Sequence, residues 1–137
     1  MTPDGQDSRM ARGRLGEDAA AALYERAGYT VTARNHRESH NEIDLIAENR
    51  HSIVFIEVKT RTQKPGAISR YGRPARAVDA GKRQRTVLAA EAYLRAHPTD
   101  KQPRIDVVEV YLEKRADGSI AVLEVVPYRN AFGAGAT

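Results

Sequence analysis

A short acidic and basic pattern stands at the end of the most apolar segment of the chain. Glu57 and Lys59 follow the run from Ile53 to Ile56, with one valine between the two charged residues. Alternate side chains of a β-strand point to opposite faces, so Glu57 and Lys59 project to the same side. Charges at the end of a strand that is apolar on both faces need partners or solvent. The pattern predicts either a catalytic pair or an ordinary surface ion pair.

A second acidic pair comes shortly before this strand. Glu42 and Asp44 alternate with aliphatic residues, which places both carboxylates on one face of a predicted strand. The connection at residues 48–51 is short, so we expect the two strands to form an antiparallel hairpin. Carboxylates from both strands could then converge on a site whose oxygen ligands suit Mg²⁺ or Mn²⁺. Lys59 could there hydrogen-bond a phosphate, orient the attacking water and stabilise charge in the transition state.

Hydrophobic periodicity predicts the elements that carry these residues. A helix is predicted over residues 12–27, with Gly28 in the position that follows a helix end, and a second helix over residues 81–97. Residues 35–41 and 60–80 are predicted to be loops. Five segments are rich in β-forming residues and are predicted to be strands: 29–33, 42–47, 52–60, 104–112 and 120–126. The order α-β-β-β-α-β-β predicts an α/β fold with a mixed central β-sheet and two main helices.

Positive charge is concentrated in one part of the chain. The net charge is +4, and the segment from Lys59 to Arg85 holds nine basic residues and a single acid, Asp79. A concentrated basic segment attracts phosphate groups, although a solvated charged face without a partner has the same composition. The nucleic-acid-binding candidates in and beside this segment are Arg61, Lys64, Arg70, Arg73, Arg76, Lys82, Arg83 and Arg85.

Composition and missing motifs exclude several other classes. The chain has no cysteine, which excludes a disulfide framework, a thiolate zinc site and a cysteine nucleophile. It has neither a GxxxxGK[ST] phosphate loop nor a GxSxG elbow, and its four histidines lack zinc-ligand spacing. Aromatic residues make up 6% and tryptophan is absent, which disfavours a base-stacking platform. A polar N-terminus and the lack of a long apolar run predict a cytoplasmic protein that does not enter a membrane.

Several motifs taken together resemble a known family. They are the Gly16-Glu17 pair, Gly28-Tyr29, Arg34-Asn35, residues 42–46, residues 55–61, Lys82 and residues 104–108. Over about residues 12–126 the chain looks like the uncharacterised bacterial YraN family. That family is similar to archaeal Holliday-junction resolvases and belongs with the PD-(D/E)xK nucleases. The resemblance implies a restriction-endonuclease-like three-layer fold, although Ile43 takes the place of the motif proline and Asn41 that of an expected glycine.

The same resemblance implies roles for individual residues. Asp44 and Glu57 match the metal ligands of the motif, and Lys59 matches its catalytic lysine. Glu17 matches a helix-borne glutamate that completes the catalytic and metal site in resolvase-like members. Glu42 is either a substrate-facing acid or an exposed hairpin residue.

Residues outside this acidic site receive two further roles. Lys82 and Arg61 match positions that contact phosphate, with a solvated surface position as the alternative for each. Arg104 and Asp106 are expected to form a structural pair within their strand rather than to act in catalysis.

The resemblance implies a Mg²⁺- or Mn²⁺-dependent endonuclease that acts on DNA, branched or processed DNA included, and that forms a homodimer. RNA is the alternative nucleic acid. A non-catalytic nucleic-acid-binding module of the same fold and a small interaction protein are the competing hypotheses. The chain of 137 residues is expected to consist of a disordered lead (1–10), one nuclease-like domain (11–128) and a flexible tail (129–137).

Overall fold

The computed structural model describes residues 4–38, 40–63 and 80–130. These residues form two helices and five strands in the order α-β-β-β-α-β-β, which confirms the predicted order. The elements are α1 (Asp4–Arg26), β1 (Thr30–Glu38), β2 (Asn41–Glu48), β3 (Ser52–Gln63), α2 (Ala80–Ala96), β4 (Gln102–Lys114) and β5 (Ile120–Tyr128). None of the described helices is long and apolar enough to cross a membrane.

The five strands form one mixed sheet in the spatial order β1-β2-β3-β4-β5. β3 and β4 run parallel, and the other neighbouring strands are antiparallel. The predicted hairpin of β2 and β3 is confirmed by a ladder that runs from Glu48 opposite Ile53 to Leu45 opposite Ile56. Parallel strands need a crossover connection, and α2 lies in the segment that joins β3 to β4.

Each face of the sheet carries one helix, which gives the predicted three layers. On one face Ala20, Ala21 and Tyr24 of α1 pack in a core that includes Val54 and Ile56. On the other face α2 contributes Ala89 and Ala90 to a core with Ile53 and Phe55. β3 is apolar at successive positions because both of its faces are buried.

The end of α1 follows from a single glycine. Gly28 has a φ of 96°, a left-handed conformation that side chains other than glycine rarely adopt. The amide of Tyr29 donates to the carbonyl of Tyr24 (3.0 Å), and that of Gly28 donates to the carbonyl of Glu25 (3.1 Å). This pair of bonds is a Schellman motif, which confirms the predicted role of Gly28 and turns the chain into β1.

The structure corrects three predicted boundaries. α1 begins at Asp4 rather than at residue 12. β1 continues to Glu38 through most of the predicted loop at 35–41, because its polar residues pair with β2 up to Glu38 opposite Asn41. β3 continues to Gln63 past the predicted end at Thr60, because β4 offers backbone partners over its whole length. Cross-strand pairing therefore outweighs local propensity at both strands.

Candidate active site

Asp44 lies against the backbone of the strand segment that carries Glu57 and Lys59. The β2–β3 ladder reaches Leu45 opposite Ile56, and one further step of this register places Asp44 opposite Glu57. At this position the Asp44 side chain, rather than its backbone, bonds to β3, since the amide of Val58 donates to Asp44 Oδ2 at 2.8 Å. Val58 stands between the two charged residues, so this hydrogen bond fixes the Asp44 carboxylate beside both of them.

Glu57 and Lys59 lie on the α2 side of the sheet. Val54, Ile56 and Val58 pack in the α1 core, and strand alternation turns Glu57 and Lys59 to the opposite face. Glu57 is buried, with 3% of its surface exposed, whereas Lys59 is half-buried. A carboxylate with so little exposure requires cationic or hydrogen-bonding partners.

A cavity of about 190 Å³ opens beside Asp44. It lies between the β1–β2 turn and the first half of α2, and it is lined by His40, Asn41, Glu42, Asp44, Arg85 and Thr86. The predicted residues Glu42 and Arg85 thus share a cavity with Asp44. An arginine and a carboxylate that line the same cavity are suited to hold a phosphate and the metal ion bound to it.

Glu17 of α1 is held by Asn35 of β1. Asn35 Nδ2 donates to Glu17 Oε1 at 3.2 Å, and both residues line a second cavity of about 500 Å³ between α1 and β1. Asn35 falls opposite Asp44 in the β1–β2 register and has a left-handed φ of 50°. The structure therefore brings Asp44, Glu57 and Lys59 together where the β2–β3 ladder ends, while Glu17 of α1 contacts Asn35 on the neighbouring strand β1.

The described residues contain no group of three or more histidine, aspartate or glutamate side chains that could hold a metal ion. Two carboxylates remain where the β2–β3 ladder ends, and Mg²⁺ is commonly held by one or two carboxylates together with water and substrate phosphates. Asp44 and Glu57 fit that donor set. The part of Glu17 as a third ligand stays a prediction.

The predicted phosphate contacts fall into three groups. Arg61 is half-buried on β3, and Arg85 is exposed at the cavity. Lys82 and Arg83 fall in the first turn of α2, and their side chains lie outside the described residues. The third group lies outside the residues that the structure describes: Lys64, Arg70, Arg73 and Arg76.

Arg104 and Asp106 form the structural pair that the sequence predicts. Arg104 donates to both Asp106 oxygens (2.9 and 3.0 Å), and Tyr24 from α1 donates to Oδ2 at 2.5 Å. The amide of Asn130 completes the arrangement at 2.8 Å from Oδ1. Burial, together with the Asp106 charge, raises the pKa of Tyr24 far above its usual value of 10, so its hydroxyl remains a donor. We name Asp106, with the four hydrogen bonds that its carboxylate accepts, the Asp106 anchor.

Three residues near the site were not predicted as functional from the sequence. Asn35 carries the strained backbone opposite Asp44, Thr86 is buried in the cavity wall, and Glu109 is buried on β4 beside the face of Lys59. The readiness of asparagine to adopt a left-handed conformation is a signal for Asn35. Thr86 and Glu109 depend on contacts between distant segments and leave no local signal.

Fold and site together define an α/β protein with a five-stranded mixed sheet between two helices, and with two carboxylates and a lysine where the β2–β3 ladder ends. The uncharacterised protein family UPF0102 matches residues 16–110, and the chain belongs to this family, which confirms the predicted YraN-type membership. A UPF0102 protein of Desulforapulum autotrophicum is 39% identical over 93% of this chain and 97% of its own. A UPF0102 protein of Symbiobacterium thermophilum is 42% identical over 89% of this chain and 96% of its own.

Proposed function

We propose that this protein is a metal-dependent endonuclease of the PD-(D/E)xK type that hydrolyses phosphodiester bonds in DNA. The observation that carries the proposal is the 2.8 Å hydrogen bond from the Val58 amide to Asp44, which holds one carboxylate beside the Glu57–Lys59 pair. The cavity with Arg85 at the same place supplies room and positive charge for a phosphate group. A structural ion pair would need neither the second strand's carboxylate nor the cavity.

Each residue has a chemical task in this function. Asp44 and Glu57 would hold Mg²⁺ or Mn²⁺, which when bound polarises the phosphate and lowers the pKa of a water molecule. Lys59 donates to a phosphate oxygen, orients the attacking water and stabilises the charge that develops in the transition state. Arg85 binds the phosphate from across the cavity and fixes the substrate strand.

The substrate and the assembly follow from the resemblance to junction resolvases. Branched or processed DNA would place two scissile strands close together. A homodimer would bring two of these sites to one such substrate, whereas a monomer serves a single strand. RNA is the alternative substrate class, and a panel of both nucleic acids separates the two.

A non-catalytic nucleic-acid-binding module is the second candidate. It is favoured by one observation, namely that the described residues contain no group of three acidic or histidine side chains that could hold a metal. Against it stands the position of Asp44 and Glu57, because a protein that only binds DNA gains nothing from carboxylates that repel phosphate.

Cleavage of a substrate panel tests the proposal. Wild type, Lys59→Ala and Lys101→Ala are incubated with linear, flapped, four-way and single-stranded DNA and with RNA, in Mg²⁺, Mn²⁺ or EDTA. Lys101 is the matched control, because it forms an ion pair, with Glu48 at 2.9 Å, but lies away from the site. It stands just before the start of β4, whereas Glu109, the register partner of Lys59, lies farther along that strand.

Wild type and Lys101→Ala should cut at least one substrate only when metal is present. Lys59→Ala should cut it about 10²–10³-fold more slowly, the loss typical of one transition-state donor. Salt-sensitive DNA binding without cleavage of any substrate would instead support the binding module. Equal rates for the two lysine variants would remove Lys59 from the mechanism.

A further inference from the structure

Beyond Lys59, the α2 face of the sheet continues into a buried polar cluster. Arg61 follows Lys59 at the next position on that face of β3, and the parallel register places Glu109 of β4 beside Lys59. Glu109 is 2% exposed. A buried glutamate is costly unless it is paired, so its partners define what it is built to hold.

The two carboxylate oxygens of Glu109 have different partners. Oε1 accepts hydrogen bonds from the hydroxyls of Tyr111 (2.8 Å) and Tyr128 (3.2 Å). Oε2 accepts from Nη2 of Arg61 at 3.4 Å. Burial, with the Glu109 hydrogen bond in addition, raises the pKa of Tyr111 to about 12, which keeps its hydroxyl a donor. The tyrosines therefore orient the carboxylate, and the carboxylate orients the guanidinium.

Arg61 is held and accessible at the same time. Its side chain is 35% exposed, and a guanidinium carries five N–H donors, more than the one contact with Glu109 requires. Two residues along a strand correspond to about 6.6 Å. Arg61 therefore lies along β3 from Lys59 at a distance similar to that between adjacent phosphates of a nucleic-acid strand. A planar cation fixed by a buried carboxylate is suited to bind phosphate with a defined geometry.

We propose that Glu109, oriented by the hydroxyls of Tyr111 and Tyr128, is a positioning residue that fixes Arg61 as the contact for the backbone phosphate next to the one on which Lys59 acts. The inference rests on the proposed nuclease function and assigns the part of its site that binds the neighbouring phosphate. Arg61 holds this phosphate equally in the ground state and the transition state, so its loss changes KM and leaves kcat intact.

The sign of the Glu109 effect separates this role from simple electrostatics. Removing a negative charge beside a phosphate-binding face should strengthen DNA binding if Glu109 acts only through its charge. If Glu109 positions Arg61, its neutralisation should weaken binding although the protein becomes more positive. If Glu109 had a purely structural role, its neutralisation would lower the amount of active protein and leave KM unchanged.

The test uses Glu109→Gln, Arg61→Gln and the double variant, with Glu113→Gln as the matched control. Glu113 lies on the same strand and pairs with the exposed Arg115 at 3.6 Å. KM and kcat are measured on the preferred DNA, and DNA affinity is measured in EDTA. Glu109→Gln and Arg61→Gln should each raise KM about tenfold with kcat within about twofold of wild type. The double variant should be no worse than Arg61→Gln, because two residues that act as a unit are non-additive.

Unchanged or tighter DNA binding by Glu109→Gln would overturn the inference, and so would additive effects in the double variant. Tyr128→Phe serves if Glu109→Gln does not fold; it removes one hydroxyl from the carboxylate and should raise KM in the same direction. If wild type cuts no DNA, the proposed function fails, while affinities in EDTA still show whether Glu109 positions Arg61.

Discussion

Two aspartates of the sheet have opposite surroundings. Asp106 on β4 is fully buried and accepts hydrogen bonds from Arg104, Tyr24 and the Asn130 amide. Asp44 on β2 is half-buried, accepts the Val58 amide and lines a cavity with Arg85. The first carboxylate joins α1, β4 and Asn130 just after β5, whereas the second is held by the neighbouring strand β3 and lines a cavity with room for a ligand. Surroundings, rather than residue type, separate a structural acid from a chemical one.

Neutralising the Asp106 anchor should have the largest effect on stability. Asp106→Asn leaves the half-buried Arg104 without its fully buried counter-charge, so the free energy of unfolding should fall by about 3–5 kcal/mol. Urea denaturation measures the change, and Asp100→Asn in the exposed turn before β4 is the matched control. If the free energy of unfolding fell by less than about 1 kcal/mol, the Arg104–Asp106 pair would contribute no more than an ordinary surface ion pair.

Metal should stabilise the protein through Asp44. At a concentration 100-fold above its Kd, Mg²⁺ or Mn²⁺ should add about 2.7 kcal/mol to the free energy of unfolding of wild type. Asp44→Asn can still accept the Val58 amide but has lost a charged ligand, so the added stability should disappear in thermal melts. Asp106→Asn should keep it. An equal gain in Asp44→Asn would move the metal site elsewhere.

Gly16 sets how closely α1 approaches β3, and with it the positions of Tyr24 and Glu17. A Cβ at residue 16 would collide with the Thr60 hydroxyl and lie 3.2 Å from Thr60 Cβ. Gly16→Ala should therefore destabilise the protein by about 1–3 kcal/mol.

Gly13 provides the control for this substitution within the same helix. A Cβ at residue 13 meets nothing within 4 Å, so Gly13→Ala should stabilise the protein by about 0.5–1 kcal/mol. Thr60→Ala should relieve much of the cost of Gly16→Ala. The same sign for both glycine variants in urea denaturation would refute the close contact.

The smallest effect is expected at Asp117 in the β4–β5 turn, far from both aspartates compared above. Hydrogen bonds from the Ser119 hydroxyl and amide hold the pKa of Asp117 below its usual value of 3.8. The stabilisation is complete above pH 3.8 and is lost as the pH falls through the lower folded value. Melting temperatures should show wild type slightly above Asp117→Asn at pH 7 and equal to it at the lowest pH at which both fold.

The sequence was sufficient to predict the order of elements, the shared face of Glu57 and Lys59, the β2–β3 hairpin and the Arg104–Asp106 pair, because each depends on periodicity or on neighbours within a few residues. It was not sufficient for the contact of Asp44 with the Val58 amide, which depends on where the ladder ends. The Glu109 cluster depends on the pairing of three strands. The contact of Glu17 with Asn35 depends on how α1 packs against β1.

The most direct test measures cleavage and stability together in Asp44→Asn and Asp106→Asn, with the preferred DNA and either metal. In EDTA Asp44→Asn should melt close to wild type, and in the presence of metal it should cut at least about 10²-fold more slowly. Asp106→Asn should melt about 10 °C lower and cut at the wild-type rate per folded molecule. An Asp44→Asn variant that cuts as fast as wild type, or a wild type that cuts no nucleic acid with either metal, would contradict the account.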